Sequence, residues 1–70
     1  MALDKTTTPP GTRILTRQGG DLVDEEKIVE WSPDGTYVKM RPRTGSDRWE
    51  KKEVVDGRLI MLLDLTPPVI

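Results

Sequence analysis

The side chains that could do chemistry in this chain are carboxylates, guanidiniums, lysines and three aromatic rings, because its 70 residues include neither histidine nor cysteine. That removes the commonest general base, the thiolate and imidazole metal ligands, and every triad that pairs His with Ser or Cys. The acids cluster: Asp21, Asp24, Glu25, Glu26, Glu30 and Asp34 stand against one base, Lys27, for a local charge of −5. A pair of them could act as general acid and base only in a cleft that raises one pKa by burial. As oxygen ligands for Ca²⁺ or Mg²⁺ they are poorly arranged, since adjacent acids on a strand point to opposite faces. No P-loop, dinucleotide-binding or EF-hand spacing accompanies them. The expectation is a protein that is not an enzyme, with no cofactor and no metal centre.

A second cluster lies in WSPDGTYVKMRPRTGSDRW, Trp31 to Trp49, which holds both tryptophans and the only tyrosine. From Tyr37 to Lys52 six bases face two acids, a local charge of +4. Tyr37, Lys39, Arg41, Arg43, Arg48 and Trp49 form the candidate binding surface. Aromatic rings interleaved with cations can stack bases while holding phosphates, and Trp, Tyr and Arg also dominate protein interfaces. Two structural readings compete with these. The acidic and basic stretches can be neighbouring strands whose charges pair across the ladder. With no phenylalanine in the chain, Trp31 and Trp49 are also its only large rings for a core, so burial is expected of both. The loop Arg41 to Asp47 reads as a connection first and a phosphate-binding finger second.

The elements that must position these residues follow from period and turn chemistry. Thr12 to Arg17 reads as a short strand ended by Gln18-Gly19-Gly20-Asp21. Ser32-Pro33-Asp34-Gly35 has the Pro and Gly placement of a type I turn and joins Lys27–Ser32 to Thr36–Arg41. In the latter strand Val38 and Met40 alternate with Tyr37, Lys39 and Arg41, which separates an apolar face from a cationic one. Trp31 is expected on the inner side, beside Val29. Asp56-Gly57 is the strongest short hairpin signal and predicts a type I′ turn between Arg48–Val55 and Arg58–Leu65. The last strand is apolar on both faces, which suits a central strand, a barrel seam or a subunit contact. Asp21 to Trp31 also carries a helix N-cap and first-turn acids; a long or bent strand is preferred, with one short helix at 21–31 as the alternative.

The fold class read from this pattern is all-β: a five-stranded antiparallel small barrel or curled meander, of SH3-like or OB-like architecture. The domain limits are a flexible arm at 1–11, one β domain at 12–65, and a Pro-rich tail at 66–70 that cannot continue a strand. A chain this short, with 34% hydrophobic residues, builds a thin core of modest stability unless association adds burial. No apolar run approaches the roughly 20 residues that span a bilayer, and the start MALDKTTTPP lacks a signal-peptide core, so a soluble, cytoplasmic protein is expected. The function expected is a non-enzymatic interaction module that docks to a protein partner or to another copy within an assembly. The alternative is a nucleic-acid-binding barrel; neither a membrane nor a small-molecule substrate is expected as partner.

Overall fold

The computed structural model describes residues 3–64. Five strands and one helix follow in order: β1 (Arg13–Gly19), β2 (Leu22–Trp31), β3 (Tyr37–Pro42), β4 (Arg48–Lys51), α1 (Lys52–Arg58) and β5 (Leu59–Asp64). They form one antiparallel sheet in the order β4-β3-β2-β1-β5. The sheet is not closed, so β4 and β5 are both edges. The tail at 66–70 lies outside the described residues.

Glycine makes the first two reversals. Gly19 and Gly20 have φ of 120° and 55° between β1 and β2, a region that side chains with a Cβ avoid. Gly35, at φ 75°, closes the β2–β3 turn, where Ser32 Oγ donates to Asp34 and Asp34 accepts the Thr36 amide. Of the segment 21–31, Leu22–Trp31 is strand, as preferred over helix. A bulge between Ile28 and Glu30 displaces Val29 from the ladder. Ile28 and Trp31 therefore both face inward, opposite Met40 and Val38, and the expected Val29–Trp31 stripe is corrected.

The expected second hairpin is overturned. Asp56 and Gly57 lie inside α1, and β5 leaves β4 to pair with β1 in the register Ile14↔Leu62 and Leu15↔Met61. Local turn propensity loses to tertiary packing: α1 buries Val55 completely, Lys52 pairs with Asp56 one turn on, and the apolar β5 sets Leu59 and Leu62 on the core. A reading of β5 as a central strand is likewise corrected, because among the described residues it pairs with β1 alone.

The core is Leu3, Ile14, Ile28, Val38, Met40 and Val55, with Trp31, Leu59 and Leu62 packed on it. Leu3 belongs to the segment read from sequence as a free arm. That segment lies against the sheet: Gly11 donates to the Ile28 carbonyl at 2.7 Å, Ile28 donates to Thr12 at 2.8 Å, and Trp31 Nε1 donates to the Thr8 carbonyl at 2.8 Å. Prolines 9 and 10 give no ladder donors, so the segment is tied through its neighbours.

Candidate functional site

The six candidate residues do not form one surface. Pleating divides them between the two faces of the β3–β4 ribbon, because Lys39 is opposite Trp49 while Met40 is opposite Arg48. Tyr37, Lys39, Arg41 and Trp49 fall on the outer face; Arg48 falls on the inner one.

On the outer face the structure brings together Tyr37, Lys39 and Trp49. The Lys39 ammonium sits 5.2 Å from the Trp49 ring centroid, a cation–π distance, and 3.6 Å from Glu30. Trp49 is 47% exposed and Tyr37 43%. Burial of Trp49 was expected and is corrected: inward positions on β4 are taken by Arg48 and Glu50, one residue to either side of it. Trp31 is the ring that reaches the core.

The arginines are mostly engaged within the chain. Arg41 grips Asp47 through Nε at 2.8 Å and NH2 at 3.0 Å, closing the 43–47 loop as a connection. That forked contact holds the Asp47 carboxyl below its ordinary range and Arg41 above its own. Arg43 leans toward Asp24 and Glu25 at 4.0 and 3.9 Å. With Arg13–Glu25 and Lys39–Glu30, these contacts are the pairing across the ladder that opposite charges on neighbouring strands allow.

Arg48 leads to a cluster that the sequence reading missed. Glu26 is fully buried among charged partners on the inner face. Its Oε1 accepts from Arg48 at 3.2 Å; its Oε2 accepts from Thr16 Oγ1 at 2.6 Å, Gln18 Nε2 at 3.2 Å and Arg58 NH2 at 3.2 Å. Arg58 also forks onto Glu50 at 3.0 and 2.9 Å, and Glu50 lies 3.4 Å from Arg48. Two acids and two arginines thus balance, while Arg58 Nε stays buried without a hydrogen-bond partner among the described residues. The signal was present in the period of two: Glu26 precedes Ile28 by two residues, and Thr16 follows Ile14 by two.

The hydrogen bonds from Arg58, opposed by partial burial and aided by the charges of Arg58 and Arg48, hold Glu50 below its ordinary 4.5. The unfolded chain therefore binds the proton more readily than the native one. Stability from this contact is complete above about pH 4.5 and is lost as pH falls through the lower folded value. Urea midpoints should accordingly be flat across neutral pH and decline below that point, and Glu50→Gln should flatten the acid limb.

Among the described residues no three acids converge as a metal site, and no helix is long and apolar enough to cross a membrane. A hollow of about 290 Å³ is lined by Gly35, Thr36, Lys51, Lys52 and Glu53, beside the outer face. Comparison with protein-family models, with curated proteins and with solved structures finds no match.

A further group of exposed apolar side chains lies on β5. Ile60, Met61 and Leu63 are exposed there, along a strand that among the described residues is paired on one side only.

Proposed function

We propose that the protein is a non-enzymatic small β module that docks to protein through the free edge of β5. It would serve as an accessory or structural component of a larger assembly in a soluble, cytoplasmic setting. The observation that carries this reading is the composition of that edge. From Leu59 to Leu63 the strand has no charge and no proline, the devices that ordinarily guard an edge, whereas the opposite edge β4 carries Arg48, Glu50 and Lys51. Exposed apolar side chains on a strand with an unpaired backbone row suit recognition by strand addition.

The occupant we favour is a second copy. In a two-fold antiparallel pairing about Met61, Leu59 would meet Leu63 and Ile60 would meet Leu62, so apolar rows meet apolar rows on both faces. The sheet itself we read as a small, incompletely closed barrel. Arg58, the last residue of α1 and the one before β5, reaches Glu50 on β4 and Glu26 on β2, which draws the two edges toward each other.

Sedimentation equilibrium across micromolar concentrations tests the docking. A dimer is expected, and Met61→Lys or Leu63→Lys should weaken it at least about tenfold, since a charge would be buried without a partner. Unchanged far-UV circular dichroism in the variants would assign the loss to the edge rather than to unfolding. A monomer at every concentration would contradict self-docking.

A further inference from the structure

The outer face of β3–β4 has a second arrangement that docking at β5 does not use. Tyr37 is opposite Lys51 and Lys39 is opposite Trp49. The four alternate as a checkerboard, with the two rings on one diagonal and the two lysines on the other. Diagonal neighbours on an antiparallel pair lie about 7–8 Å apart, within joint reach of one extended ligand. Lysines alone would be explained as edge protection. Two half-exposed rings beside them add planar apolar surface next to positive charge, a combination enriched at recognition surfaces.

Charge selects the occupant. Lys39 shares its charge with Glu30, while Lys51 and Lys27 have no ion pair with any described residue, and the nearest β4 carboxylate, Glu50, points inward to Arg58. Lys51 also lines the hollow beside Gly35 and Thr36, together with Glu53 and with Lys52, whose charge is shared with Asp56. The face therefore offers planar stacking surfaces, free positive charge and a recess large enough for a phosphate or sugar group. Arg41 and Arg48, held by carboxylates at 2.8 and 3.2 Å, are not its cations, and Arg43 lies in the loop beyond β3.

We propose that this face binds single-stranded nucleic acid, with bases stacked on Trp49 and Tyr37 and the backbone phosphates held by Lys39 and Lys51. Stacking on sheet aromatics is largely indifferent to base identity, and phosphate contact makes affinity salt-dependent. Duplex should bind more weakly, because its bases are already stacked on one another.

The test uses the full chain and fluorescein-labelled single-stranded dT and dA oligomers at about 50 mM salt, read by anisotropy. Saturable binding is expected with quenching of Trp49 emission. Trp49→Ala should weaken it about tenfold or more. Lys51→Ala should weaken it and flatten the salt dependence by about one phosphate contact. Leu63→Ser on β5 should leave it unchanged, which separates this face from the docking edge. Absence of binding at low salt would overturn the proposal. So would displacement by polyglutamate as readily as by unlabelled oligomer, which would assign the face to an acidic peptide instead. Loss of binding in Leu63→Ser but not in Trp49→Ala would also contradict it.

Discussion

Glu26→Ala should cost about 3–5 kcal/mol, which for a domain this small approaches its whole stability. The loss comes less from the missing contacts than from what they leave behind. Arg48 and Arg58 would retain one carboxylate, Glu50, for two guanidiniums, and Thr16 and Gln18 would lose their shared acceptor. Arg58 already carries one buried donor without a partner, so little slack remains. Glu26→Gln should be milder than Glu26→Ala, because an amide oxygen still accepts from Thr16. The control is Arg43→Ala, whose exposed contacts at 3.9–4.0 Å should be worth no more than about 0.5 kcal/mol. Urea unfolding followed by tryptophan emission and circular dichroism compares the three. Equal midpoints for Glu26→Ala and Arg43→Ala would show that the cluster contributes nothing.

Leu3→Ala should cost about 2–5 kcal/mol, the range for truncating a fully buried leucine. Leu3 is one of six buried apolar residues among those described, so its side chain is a large share of a thin core. Its amide donates to Asp56 Oδ1 at 2.7 Å, which ties the start of the chain to α1. Truncation would open a cavity between the sheet and that helix and loosen the seat of Val55. A urea midpoint lowered by this amount, with faster proteolysis near residues 5–8, is expected. A change below about 0.5 kcal/mol would return the segment to the status of a free arm.

How far the fold could be read from sequence depended on how local each determinant is. The β2–β3 hairpin was legible because Pro33-Asp34-Gly35 and the Val38–Met40 alternation are local and agree with each other. Asp56-Gly57 is equally local yet misled, since the gain from burying Val55 and Leu62 exceeds a turn preference and involves residues far away in sequence. The bulge at Val29 inverts a face within one strand, which strict alternation cannot anticipate. At the candidate site, Tyr37 and Lys39 were placed correctly by the period of two. Trp49 was assigned inward because composition offered few other large core residues. The structure instead spends its inner β4 positions on Arg48, a partner of Glu26 far upstream on β2, and on Glu50, a partner of Arg58.

In the proposed assembly β5 joins β1 by one edge and offers the other to a second copy. Amide hydrogen exchange along Leu59–Asp64, measured in dilute and in concentrated protein, tests it most directly. Amides bonded to β1 should exchange slowly in both. Those on the outer edge should exchange fast when dilute, become protected as concentration rises, and lose that protection in Met61→Lys. Outer-edge amides with the same exchange rate at both concentrations would contradict the account.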